Sequence, residues 1–175
     1  MKKIFTLVIF AIFIFSCGYK ISHKSLNDKK YYNLHIAFFK NKTSEPRLEN
    51  YLIKELKREF ILYPNVNVTF KDRADYLLGG EIVKYSKESI SYSKDDRTLE
   101  YRIIITIKVN LKNSKGNIVK SKLFTWNKEY TSDYTSGNNK NFDVGFSENK
   151  RKGFIIKVCS ELSQEVYHWL NSYNF

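Results

Sequence analysis

Tyr101-Arg102-Ile103-Ile104-Ile105-Thr106-Ile107-Lys108-Val109-Asn110-Leu111 alternates apolar and polar side chains, broken only at Ile104. Successive side chains of a strand point to opposite faces, so Tyr101, Ile103, Ile105, Ile107, Val109 and Leu111 share one face. Arg102, Thr106, Lys108, Asn110 and the following Lys112 take the other. A strand dry on one side and wet on the other belongs to an antiparallel sheet with a single covered face. Downstream, Asn113 to Asn117 contains Gly116 and reads as a short hairpin turn. The returning strand is expected over Ile118 to Thr131. Its apolar face shifts between Leu123 and Phe124, which predicts a bulge there.

Upstream, Ala74 to Tyr85 reads as a strand carrying Gly79-Gly80, and glycine inside a strand predicts a bulge or a close backbone approach. Val66 to Phe70 is compatible with a short strand. Before it, Leu48, Leu52, Leu56 and Phe60 repeat every four residues with Tyr51 and Tyr63 beside them, the stripe of an amphipathic helix. Ser44 is expected to cap that helix, with Glu45 at its favourable end and Pro46 in its first turn. Pro64 stops it. Leu34 to Phe39 is the first strand, with Leu34, Ile36 and Phe38 on one face. Ser132 to Asn149 is rich in Ser, Gly and Asn and reads as a loop. A last helix places Ile155, Val158, Leu162, Val166, Trp169 and Leu170 on one side and Lys157, Glu161, Gln164 and His168 on the other.

The order is β-α-β-β-β-α. It predicts an α+β two-layer sandwich, two helices on one face of a mostly antiparallel four-stranded sheet. The second sheet face is then polar or open to a partner.

The start of the chain is an export signal. Met1-Lys2-Lys3 is basic, Ile4 to Phe15 is apolar apart from Thr6, and Ser16-Cys17-Gly18 follows. The apolar stretch is shorter than the ~20 residues that span a bilayer. General signal peptidase cutting after Ser16 would find Ile14 where it prefers a small residue, so a cut that leaves Cys17 first, for lipidation, fits better. This divides the chain into a signal peptide (1–16), a polar, basic, lipidated tether (17–31) and one α+β domain (32–175). Cys159 then has no intramolecular disulfide partner and reads as a small buried hydrophobe.

The formal charge is +12, of which Lys2 and Lys3 leave with the leader, so the mature chain stays strongly basic. That favours anionic partners. An exported chain rarely meets nucleic acid, so lipid headgroups, phosphorylated glycolipid or an acidic protein surface fit better. A Lys- and Asn-rich chain is also what a compositionally biased genome produces. No catalytic signature, cofactor motif or metal-binding His pair is present. His23, His35 and His168 are scattered over a tether, a strand and a helix. Asp95, Asp96 and Glu100 sit among Lys94 and Arg97 and read as ion-pair partners, not acid–base groups.

Cys17-Gly18-Tyr19, Ile36-Ala37-Phe38 and Asn41-Lys42-Thr43-Ser44-Glu45-Pro46-Arg47-Leu48-Glu49 resemble the opening of the LptE-type lipopolysaccharide-assembly lipoproteins. Ala74-Asp75-Tyr76-Leu77-Leu78-Gly79-Gly80-Glu81-Ile82 is similar to the family's next block. Tyr101-Arg102-Ile103, the hairpin at Gly116 and the closing helix resemble the remainder. The resemblance implies a non-enzymatic outer-membrane lipoprotein, two helices on a four-stranded sheet, with no cofactor, catalytic residue or metal site. It implies a heterodimeric translocon in which the protein plugs the lumen of an LptD-type β-barrel, supports its assembly and binds lipopolysaccharide. The family pattern does not fix lipid-contact residues in this chain. On charge alone Lys112, Lys115, Lys120 and Lys122 around the hairpin tip are the candidates, followed by Arg97 and Arg102. Each also reads as an ordinary solvated cation on a wet strand. The Asn-x-Thr-x-Glu start, with Ala-Asp and Leu-x-Gly, is similar to LpoB-type peptidoglycan-synthase activators and CsgG-type secretion proteins as well, which bind protein partners instead of lipid.

Overall fold

The decisive run lies within strand β4 (Thr98–Asn113), at the heart of a sheet in a computed structural model that describes residues 31–94, 98–131 and 144–172. The flanking elements are β1 (Tyr32–Asn41), α1 (Leu48–Ile61), β2 (Val66–Val68), a 3-10 turn (Lys71–Arg73), β3 (Tyr76–Tyr92), β5 (Ile118–Thr131) and α2 (Val144–Asn171). The signal peptide, Cys17 and nearly all of the tether lie outside the described residues, as do Asp95, Asp96 and Arg97.

The sheet has five strands in the order β2-β1-β3-β4-β5, which corrects the expected four. It is mixed: β1 runs parallel to both β2 and β3, whereas β3, β4 and β5 are antiparallel neighbours. The extra strand is Val66–Val68. Its three residues are too few for a period-two signal, and a parallel partner brought back through α1 leaves no local mark in the sequence. Both helices cover one sheet face. Leu48, Leu52, Leu56 and Phe60 of α1 and Ile155, Val158, Leu162, Val166 and Leu170 of α2 join Leu34, Ile36, Leu78, Ile82, Ile103, Ile105, Ile107, Val109 and Leu111 in one buried cluster. Cys159 is buried within it, and burial pushes its thiol up to about 12. A buried leucine of this kind is worth on the order of 2 kcal/mol in transfer alone. Leu56→Ala would cost more, about 3 kcal/mol, because the helix–sheet gap cannot close fully.

Four local expectations are corrected. Phe38 faces solvent and Phe39 is buried, because the β1–β3 register shifts between Ile36 and Phe39. The bulge foreseen in β5 is absent, since Ile107 faces Phe124 and Lys108 faces Leu123 in unbroken register, leaving Leu123 exposed. The shift lies at the tip, between Leu111 and Lys112. Helix α1 begins at Leu48 after Arg47 in the left-handed region (φ 63°), with no side-chain cap, so Ser44 does not cap it. Helix α2 begins at Val144, inside the stretch read as a loop to Asn149. The other loop residues, 132–143, are not described. At the hairpin, Gly116 takes φ 85° as a tight turn requires, and Asn113 Oδ1 accepts from the backbone of Lys115 and Asn117.

Candidate functional site

The face of the sheet away from the helices carries no covering element among the described residues, and Gly79 lies on it while Gly80 turns to the helix side. In β1, Ala37 and Phe38 together oppose Gly79, a bulge that throws Phe38 outward. A Cβ at Gly79 would lie 3.2 Å from the Ala37 methyl, and one at Gly80 would lie 1.9 Å from the Lys108 carbonyl oxygen. On this face Gly79 carries no side chain, and there a shallow concavity of about 350 Å³ is lined by Ala37, Phe38, Leu77, Gly79, Gly80, Glu81, Lys108, Asn110 and Lys112.

This face is mostly polar, with Phe38 and Leu123 exposed on it, and is tied together by hydrogen bonds. Thr106 and Thr125 hydroxyls meet at 3.0 Å, and Ser121 donates to Asn110 at 2.7 Å. Lys42 Nζ reaches Glu81 at 2.6 Å, and that hydrogen bond holds the Glu81 carboxyl below its ordinary value. Arg102 is engaged with Glu129 at 2.6 Å, which raises the guanidinium further. Lys112 and Lys115 have no carboxylate partner among the described residues.

Pairing in β5 determines the rest. Lys120 faces Leu111 and Lys122 faces Val109, so both belong to the helix-covered side. Lys120 Nζ lies 5.9 Å from the centre of the Trp169 ring, and Lys122 Nζ 4.9 Å from that of Phe124. Burial lowers the Lys120 ammonium. Further along, Glu161 of α2 accepts from Trp126 at 2.6 Å and from Lys128. Burial would raise that carboxyl, but the hydrogen bonds from Lys128 and Trp126 outweigh it, and it sits below its ordinary value.

A protein-family model for LptE, lipopolysaccharide-assembly, matches residues 31–166, most of the described domain. The chain belongs to the LptE family. No curated protein sequence matches it. In fold it is similar to the crystal structure of rare lipoprotein B from Shewanella oneidensis, at 11% identity over 80% of this chain and 94% of that one, with a TM-score of 0.52. It is also similar to the solution structure of an uncharacterized lipoprotein B from Nitrosomonas europaea, at 11% identity, 78% and 79% coverage and a TM-score of 0.50. At such identities the likeness concerns the fold alone.

LptE proteins are non-enzymatic envelope lipoproteins of lipopolysaccharide assembly. In this LptE protein the cationic candidates do not form one cluster. Lys112 stands on the uncovered face, Lys115 at the exposed tip, Lys120 and Lys122 on the helix side, and Arg102 near the far end of β4. Arg97 lies outside the described residues. The family-like segment from Asn41 to Glu49 is a structural device. Asn41 Nδ2 donates to the Glu45 carbonyl (2.8 Å) and to Glu49 Oε2 (2.9 Å), while its Oδ1 accepts from Thr43 N (2.9 Å) and Thr43 Oγ1 (2.8 Å). The loop so ordered presents buried Glu45 to Arg151 of α2, at 2.6 and 2.8 Å to its two oxygens. The hydrogen bonds that Arg151 donates to Glu148 and then to Glu45 raise the guanidinium despite burial. Sequence reading missed this clamp and the Trp126–Glu161–Lys128 lock, because Arg151 and Glu161 are two charges among many on α2 and their partners lie far away in sequence.

Proposed function

We propose that this LptE-family chain is an outer-membrane lipoprotein, anchored through lipid on Cys17, that occupies the lumen of an LptD-type β-barrel and contacts lipopolysaccharide during its export. One observation supports the reading above the others. Among the described residues a long sheet, stiffened from behind by two helices, leaves its second face uncovered and carries hydrogen-bonded polar pairs there, beside exposed Phe38 and Leu123. Such a face suits the polar, water-filled interior of an outer-membrane barrel, where an apolar face would be misplaced. The concavity at Gly79 adds a place for an anionic glycolipid, since Lys108 and Lys112 can meet a phosphate by charge-assisted hydrogen bonds while Phe38 offers an apolar surface. Arg102, held by Glu129, is a weaker candidate than Lys112 and Lys115.

The test is lipopolysaccharide binding by Lys112→Glu/Lys115→Glu. The expected result is weakened, less salt-sensitive binding at unchanged melting temperature. Unchanged affinity and unchanged salt dependence would remove this face as the contact. Separately, Cys17→Ala is expected to leave the protein free in the periplasm or with its leader uncut, and persistent lipid-mediated membrane attachment would refute the anchor.

A further inference from the structure

The end of the domain at which the chain enters, at Tyr31, collects features that the other end does not share. Tyr32 N donates to the Asn65 carbonyl, Asn65 donates to Asn171 at the close of α2, and the Tyr63 ring stacks on Tyr167 at 3.4 Å. Half a turn back from Asn171, on the side of α2 that faces β5, Trp169 packs edge-on against Phe124 at 5.6 Å and lies beneath Lys120. Leu34 pairs with Tyr76 and Tyr76 with Asn113, so the β4–β5 turn stands at the same level. A row therefore crosses this end from Tyr31 and Leu62, past Trp169, to Lys120 and Val119. Its exposed apolar side chains are Tyr31 (62% exposed), Ile61 (67%), Leu62 (68%) and Val119 (45%).

We propose that this end is a peripheral membrane surface, resting on the anionic phospholipid headgroups of the leaflet that holds the lipid anchor; it builds on the anchor reading above and adds a second, protein-borne contact to it. Exposed apolar residues scattered singly carry no message. Here they stand in one row with a tryptophan and the exposed cation Lys122, while the Lys120 ammonium is buried; apolar side chains beside a tryptophan and a lysine are the composition by which proteins lie in a membrane interface. Among the described residues no helix is long and apolar enough to cross a membrane, so the contact is a surface one. The nearby carboxylates are engaged: Glu59 accepts from the Tyr63 hydroxyl at 3.0 Å and Asp75 from the Asn33 backbone at 2.8 Å. Both helices turn their negative dipole ends this way, and Arg58 in the last turn of α1 opposes that field.

The geometry of attachment selects the same end. Tyr31 follows Cys17 by fourteen positions, so the covalent length of the chain limits their separation to about 50 Å. Strand β3, with 17 residues, is about 55 Å long. The end near Tyr31 is held within that reach of the bilayer, while the end near Tyr92 is free to stand a strand length further off.

The test uses the full mature chain made without lipid, with Cys17→Ala, and vesicles of phosphatidylethanolamine with phosphatidylglycerol or of phosphatidylcholine alone. The expected result is salt-sensitive binding to the anionic vesicles, weakened about tenfold or more by Leu62→Ser/Val119→Ser/Lys122→Gln with no change in melting temperature. Tyr92→Ser/Lys94→Gln at the far end is expected to leave binding intact. No binding, equal binding to neutral vesicles, or equal loss from the far-end variant would overturn the proposal. Self-association that the Leu62 variant abolishes, without vesicle binding, would assign the row to a second copy and overturn it too. Fractionation of Cys17→Ala scores the anchor by itself, so the two readings fail separately.

Discussion

Replacing Gly80 by alanine tests the close approach of β3 to β4 at its tightest point. The new methyl carbon would lie 1.9 Å from the Lys108 carbonyl oxygen and 3.1 Å from Phe39 Cε1, where ordinary contact begins at 3.4 Å. Neither neighbour can yield cheaply, since one is backbone of the adjoining strand and the other a fully buried ring. Strands β3 and β4 would have to part by about 1.5 Å, which weakens the ladder bonds on either side at about 1 kcal/mol each. Displacing Phe39 adds about 1–2 kcal/mol. The expected loss is about 3–4 kcal/mol, a fall of roughly 10 °C in Tm for a domain of this size. At Gly79 the clash is with the Ala37 methyl at 3.2 Å, and a shift of a few tenths of an ångström holds the cost of Gly79→Ala to about 1 kcal/mol or less. Urea and thermal melts of both variants are the assay. A Gly80→Ala protein within about 1 kcal/mol of the parent, or a Gly79→Ala protein less stable than it, would refute the reasoning.

Arg151→Met is expected to cost about 3 kcal/mol by stranding the buried Glu45 carboxylate, and Glu45→Gln in the same chain to recover part of it; a double-mutant cycle in urea that shows no coupling would contradict the clamp. Glu161 has a depressed folded-state pKa, so its contribution is present above the ordinary glutamate value of 4.5 and lost as pH falls through the lower folded value. The stability gap between the parent and Glu161→Gln should therefore be full at neutral pH and vanish in acid, and a gap independent of pH would rule this out. Arg47 sits at φ 63°, a conformation glycine adopts freely, so Arg47→Gly should stabilise by up to about 1 kcal/mol, read from chemical denaturation.

What the sequence made legible was facing, not pairing. The alternation from Tyr101 to Leu111 and the four-residue repeat of Leu48, Leu52, Leu56 and Phe60 revealed which side of each element is buried, because burial acts on every residue in turn. The insertion of β1 between β2 and β3 left no such trace, since parallel neighbours are joined through a helix and their contacts are distant in sequence. Phe38 misled for a related reason: the bulge that turns it out is imposed by Gly79 on another strand. At the site, charge alone marked Lys112, Lys115, Lys120 and Lys122 as a group. The register of β5 separates them, sending Lys120 and Lys122 to the helix side. Arg151 and Glu45 lie 106 residues apart, and no local pattern links them.

The most direct measurement for the central claim is a mild-detergent purification of the tagged, lipidated protein from outer membranes, with the co-purifying chains identified by mass spectrometry. A large β-barrel recovered in roughly equal amount, with lipopolysaccharide, is the predicted result. Recovery with a peptidoglycan synthase, or with further copies of itself and no barrel, would contradict it.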